Sequence, residues 1–97
     1  MSAVTYTFGD RLFVGNADVL RIHIDHLFSD TAIETIIFDL ENLRLCDSCG
    51  LKFFLNYHRK AIATGKILLL YRPDPAVKAL FENTKLSDVF EICDTLP

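Results

Sequence analysis

Cys46-Asp47-Ser48-Cys49 places two thiols three positions apart, directly before Gly50-Leu51 and an apolar helical pattern. Unpaired amides and the positive end of the helix dipole collect at such a helix start and lower a thiol pKa. A thiol-redox protein using Cys46 and Cys49 is therefore one reading. Against it stand Asp47, whose charge opposes thiolate formation, and the lack of a counterpart to the cis-proline loop of such oxidoreductases. Between catalysis and inertness lies a binding module whose turn a Cys46–Cys49 bond would reshape. The same amides accept an anion or a polar partner group, and either Asp47 or Ser48 can cap the helix. Plain capping is the commoner explanation of an Asp-Ser pair before a helix.

The remaining candidates are scattered. His23, His26 and His58 form no paired, short-spaced ligand set with the cysteines, so no metal and no cofactor is expected. His58 reads as a residue at the boundary of the core, and Cys93 as a small hydrophobe or a spare thiol. No nucleophile, base and oxyanion donors converge, so the chain is expected not to be an enzyme. The formal charge is −3 with the acids dispersed, leaving no basic stripe for phosphates, so no nucleic-acid partner is expected. No apolar run is long enough to cross a bilayer and no leader pattern opens the chain, so a cytoplasmic protein without membrane insertion is expected. Three cysteines at irregular spacing read as reduced thiols. With 97 residues, half of them apolar, the chain is read as one domain, 1–97, around one core.

The elements around these residues follow from periodicity. Val4, Tyr6 and Phe8 alternate with polar neighbours. Gly9-Asp10 then offers a turn into Leu12-Phe13-Val14, which predicts an N-terminal β-hairpin. From Ala17, the residues Leu20, Ile24, Leu27 and Phe28 predict a helix ending near Ser29-Asp30. Thr35-Ile36-Ile37-Phe38 reads as a strand buried on both faces. Leu51, Phe54, Leu55 and Ile62 share one face of a longer helix closing before Gly65. Phe53 and Tyr57 lie on a different face, either as an exposed aromatic patch or packed under a neighbouring helix. Lys66 to Leu70 predicts a second buried strand. Asp74 caps a third helix with Pro75 in its first position and Val77, Leu80 and Phe81 as its stripe. Asp88 to Ile92 adds an edge strand or a final turn. The fold class is α/β: a mixed, mostly parallel sheet with an N-terminal hairpin and helices packed against it.

The stretch from Asp39 to Leu51 resembles the signature of the STAS-type anti-sigma factor antagonists, in which Asp-Leu-x-x-Leu leads to Asp-Ser-(Ser/Thr)-Gly-Leu. The resemblance continues through Thr64-Gly65-Lys66, Asp74-Pro75-Ala76-Val77-Lys78-Ala79-Leu80-Phe81 and Leu86 to Ile92. It implies a non-catalytic signalling domain that binds a kinase-type anti-sigma factor, a serine kinase of the ATP-binding, histidine-kinase-like type. Gly15-Asn16-Ala17-Asp18 is similar to the family's Gly-x-x-Asp, which precedes the first helix. The implied partner-binding residues are then Asp18, Asp47, Ser48, Cys49 and Gly50, gathered at one end of the sheet. Asp18→Ala and Gly50→Arg are expected to weaken association while leaving the fold nearly intact. Cys49 departs from the family, because it occupies the phosphorylated Ser/Thr position and offers no acceptor hydroxyl. Ser48 is the adjacent substitute, displaced by about 100° around the helix. STAS accessory subunits of membrane transporters are the alternative within the same fold.

Overall fold

Val4, Tyr6 and Phe8 turn the inner side of strand β1 (Ala3–Thr7) toward the helices, while Ala3, Thr5 and Thr7 are exposed. The computed structural model of the chain describes residues 2–96. After β1 come β2 (Arg11–Leu12), α1 (Val14–Ser29), β3 (Thr35–Asp39), β4 (Leu45–Cys46), α2 (Ser48–Thr64), β5 (Ile67–Tyr71), α3 (Pro75–Asn83) and β6 (Ile92–Cys93). A single 3-10 turn at Leu86–Asp88 leads into β6, so the tail forms both a turn and an edge strand.

The main sheet has the order β1-β3-β5-β6, and β2 pairs separately with β4. Every one of these pairings is parallel. The expected N-terminal hairpin is therefore not formed: β1 pairs with β3, β2 pairs with β4, and the two do not pair with each other. A two-residue hairpin needs positive φ in its turn. Among the described glycines only Gly65 has it, so Gly9-Asp10 carries the chain onward instead of reversing it. Arg44 and Leu45 then donate their N–H groups to the Asp10 carbonyl, at 2.9 and 3.0 Å, and align β4 beside β2.

All three helices bury their apolar sides in one cluster with the inward residues of the sheet. Ile36, Phe38, Leu68 and Leu70 come from the strands, Ala17, Ile24 and Phe28 from α1, Phe53, Phe54, Tyr57 and Ala61 from α2, and Val77 and Phe81 from α3. Removing each such large side chain from water contributes about 1.5–3 kcal/mol. β3 is central, and Thr35 and Ile37 are buried on the side facing away from the cluster, as its unalternating sequence predicts. β5 differs. Leu68 and Leu70 are buried, but Ile67 is half exposed, and the strand runs one residue later than expected.

Two helix expectations need correction. α1 begins at Val14, so Gly15-Asn16-Ala17-Asp18 lies inside the helix and not before it. The start is set by Asn16, whose Oδ1 accepts from the Phe13 N–H at 3.0 Å while its amide donates to the Arg11 carbonyl at 2.8 Å. Ile62, placed on the apolar face of α2, is 69% exposed, and Ala61 occupies the buried position. The caps agree better with expectation. Asp74 accepts from the Ala76 N–H at 3.1 Å with Pro75 in the first turn, and Gly65 ends α2 in the left-handed region.

Candidate functional site

The chain leaves β3 through a loop anchored from below by Leu40 and Leu43, both fully buried. Asp39 Oδ1 accepts from the Glu41 N–H at 3.0 Å, which shapes the first bend. β4 then delivers Cys46, and Asp47 adopts an extended backbone before α2. Of the two candidate caps, Asp47 is the one used: its Oδ1 accepts from the Gly50 N–H at 3.0 Å. Ser48 is the first residue of α2 and is exposed, whereas Cys49 is half-buried.

Gly50 lies beneath this turn, buried, and not on its surface. A Cβ there would sit 2.5 Å from Cys46 Sγ and 3.2 Å from the Leu12 carbonyl oxygen. The residue lets the helix start approach β2 and β4, so Gly50→Arg is not the fold-neutral change expected from the sequence. Its influence on anything bound outside is through the shape of the turn.

Cys46 is half-buried, and its thiol contacts the Asp47 carbonyl at 3.7 Å. Burial, reinforced by the Asp47 charge, pushes this thiol up to about 11. Cys93 is also raised, by burial first and then by Asp94 and Glu91. A thiol held protonated at neutral pH is a poor nucleophile, which weighs against redox catalysis through Cys46. Cys46, Cys49 and Cys93 are all free thiols.

Asp18 and Cys49 come together although about thirty residues separate them in sequence. They line one shallow groove of about 160 Å³ between α1 and α2, with Ala17, Arg21, Lys52 and Asn56. Asp18 is in the second turn of α1, and no acidic side chain occupies the first. Helix-dipole stabilisation at the N-terminus is thus not its role. Its carboxylate pairs with Arg21 at 2.6 Å on a largely exposed surface, where such a pair adds little stability. The Arg21 guanidinium also lies 5.5 Å from the centre of the Phe53 ring.

Arg21, Lys52 and Asn56 were not singled out from the sequence, although the signal is local. Lys52 and Asn56 follow Cys49 by three and seven positions and share its helix face, as Arg21 follows Asp18 by three. A second groove, of about 350 Å³, adjoins the same turn and is lined by Arg11, Leu12, Phe13, Leu45, Cys46 and Asp47. Phe13 and Leu45 are large apolar side chains left 41% and 59% exposed there. The aromatic pair Phe53 and Tyr57 is buried against α1, which decides between the two readings of those residues. His58 sits at the boundary of the core with its ring edge toward Phe90, centroids 5.9 Å apart. Among the described residues no cluster of His, Cys, Asp or Glu is arranged to hold a metal ion, and no helix is long and apolar enough to cross a membrane.

Comparison with known proteins gives one family and one fold. The STAS domain family model matches residues 2–97. No curated protein matches the chain. Among solved structures, the anti-sigma factor antagonist SpoIIAA in its unphosphorylated form is similar with a TM-score of 0.78 and 24% identity, over 96% of this chain and 81% of that one. A Thermotoga maritima protein described as an anti-sigma factor antagonist gives 0.81 and 20%, over 97% and 80%. The phosphorylated form of the Bacillus cell fate determinant SpoIIAA gives 0.72 and 22%, over 96% and 84%. At these identities the likeness establishes a shared fold.

Proposed function

The chain belongs to the STAS domain family, and from that premise we propose that it is a non-catalytic antagonist that binds a kinase-type anti-sigma factor. The observation that carries this reading is the convergence of Asp18 and Cys49 on one groove beside the capped turn Asp47–Gly50. A partner meets there an exposed carboxylate at Asp18, an exposed hydroxyl at Ser48 and a half-buried thiol at Cys49, with Gly50 fixing the turn beneath them. Further support comes from the fold shared with SpoIIAA, a protein solved in both unphosphorylated and phosphorylated forms. The partner class is an ATP-binding serine kinase, and the setting is cytoplasmic. The raised Cys46 thiol makes the redox reading the weaker one.

Cys49 makes this antagonist constitutive. A phosphate brings nearly two negative charges and a large hydration requirement into a close-packed interface, and so releases a partner. Cysteine keeps the size of serine and the helix start while offering no acceptor hydroxyl.

The test uses the chain, a kinase-type anti-sigma factor from the same genome and ATP. The unaltered chain should bind and remain unphosphorylated. Asp18→Ala and Ser48→Arg should weaken binding several-fold in folded protein. Cys49→Ser should bind, become phosphorylated at the new serine, and then dissociate. Phosphorylation of the unaltered chain at Ser48 with loss of binding would move the switch by one residue and overturn the role given to Cys49. Absence of any complex would overturn the sigma-regulatory reading and leave the transporter accessory subunit and the redox-sensing module as the readings to test.

A further inference from the structure

The outer edge of β1 is a free hydrogen-bonding surface. Thr35 donates to the Ser2 carbonyl at 3.1 Å, and Phe8 donates to the Asp39 carbonyl at 3.0 Å. These two bonds set the phase of the parallel ladder: the even-numbered residues of β1 face β3. Ala3, Thr5 and Thr7 therefore turn their N–H and C=O groups outward, and no hydrogen bond engages those groups among the described residues.

The two edges of the sheet are guarded very differently. Folded proteins blunt exposed edges with shortness, charge, proline or a bulge. β6 has only two residues and is flanked by Glu91 and Asp94. β1 has five residues in unbroken register with β3, and from Ser2 to Gly9 there is no charged residue and no proline. Its residues are instead threonines, a valine, an aromatic and an alanine, mostly strong strand formers.

We propose that this edge is an isologous docking surface for a second copy of the chain, with β1 pairing antiparallel to β1 of its twin about a dyad at Thr5. In that register Thr5 faces Thr5, and Ala3 and Thr7 face each other. All three outward residues then exchange hydrogen bonds with their opposites. The pairs between them place Val4 opposite Tyr6 twice, on the side of the helices, in the non-hydrogen-bonded sites where side chains lie closest. Val4 and Tyr6 are both left half-buried in the single chain. Tyr6 packs edge-on against Phe8 at 5.1 Å, so its ring is already oriented along this border. The strand is thus self-complementary in both backbone and side chains, as a two-fold interface requires. The product is one continuous eight-stranded sheet with both sets of helices on the same face. A contact of one strand pair is small, so the dimer is reversible and dilution-sensitive.

Sedimentation equilibrium of the intact chain over a wide concentration range reads this directly. The weight-average mass should rise toward twice the monomer mass. Thr5→Pro removes an outward N–H and no bond to β3, so it should abolish the rise while thermal unfolding of the monomer stays cooperative. If the proline variant fails to fold, a charge pair replaces it. Thr5→Lys alone and Thr5→Glu alone should each be monomeric, and an equimolar mixture should recover the doubled mass at low salt. A wild-type mass that stays monomeric up to millimolar concentration, or a dimer that persists in the lysine variant, would overturn the proposal.

Discussion

From Phe53 to Ala61, α2 is held by many contacts, whereas the turn before Gly50 is held by few. Phe54 alone meets the rings of Phe8, Phe38, Phe53, Phe81 and Phe90 at centroid distances of 5.6 to 6.4 Å. The turn depends on one carboxylate-to-amide hydrogen bond and on the missing side chain of Gly50. Loss of one contact among Phe53, Phe54 and Tyr57 leaves neighbours in place, and these rings are hidden from the outside. Loss of one contact at the turn changes the outer surface itself. The buried contacts that carry stability and the turn proposed to carry recognition are therefore adjacent parts of one helix, and variants can separate them.

The largest effect belongs to the aromatic stretch. Phe54→Ala should lower the unfolding free energy in urea by about 3–5 kcal/mol, since a fully buried ring leaves a cavity that the surrounding rings cannot fill. A loss no larger than that of a surface substitution would erase the contrast between the two parts.

Next comes the steric limit at the turn. Gly50→Ala should cost about 1–3 kcal/mol, because the new Cβ overlaps Cys46 Sγ. Combining it with Cys46→Ala should restore part of that loss and leave a remainder set by the Leu12 carbonyl. A double-mutant cycle measures the coupling. Strict additivity would show that Gly50 and Cys46 do not press on each other.

Asp47→Ala removes the cap and should destabilise by about 0.5–2 kcal/mol. Its effect on partner affinity should be disproportionately large, since the amide of Gly50 and the first residues of α2 lose their fixed geometry. Equal loss in stability and affinity would make the turn merely structural.

The smallest effect is a pH dependence on the α1–α2 seam. Asp25 Oδ1 accepts from the Tyr57 hydroxyl at 2.7 Å and from Lys60 at 3.2 Å. Burial raises the Asp25 carboxyl, but these two hydrogen bonds and the charges of Lys60 and Arg21 outweigh it, leaving the pKa below the ordinary value. Burial, with the hydrogen bond to Asp25, moves Tyr57 the other way, upward. A lowered folded pKa means the stabilisation is complete above the carboxyl's unfolded pKa and is lost as pH falls through the folded one. Asp25→Asn should flatten the acid limb of stability and leave the slope near neutrality unchanged. The side chain is half exposed, so the change should be modest. An unaltered acid limb would remove Asp25 from the seam's energetics.

Much of this architecture was legible because its signals are local. The Asp74-Pro75 start and Gly65 stop depend only on residues within one turn, and both stand as read. The β-branched run of β3 marked a strand covered on both sides. By sequence Asp47 and Ser48 are alternative caps, since both types accept a hydrogen bond from the same amides; the backbone at Asp47 selects it. Other signals were local and passed over. Asn16, three residues after Phe13, sets the start of α1 by bonding back to Phe13 and Arg11.

Residue types and spacing by themselves determined the longer strands, the three helices and the capped turn that carries Cys49, because each depends on contacts within a few residues, whereas the two-residue strand β4 carries no such local signal. Tertiary structure alone decided that β1 and β2 join different sheets, since Leu12 finds its partner in Cys46, more than thirty residues away. It also decided that Phe53 and Tyr57 are buried while Ile62 is not, and that Asp18 reaches the groove of Cys49. A helical period shows that a face is apolar, but which part of that face is covered depends on where the neighbouring helix lies. That position is set by the packing of the whole core.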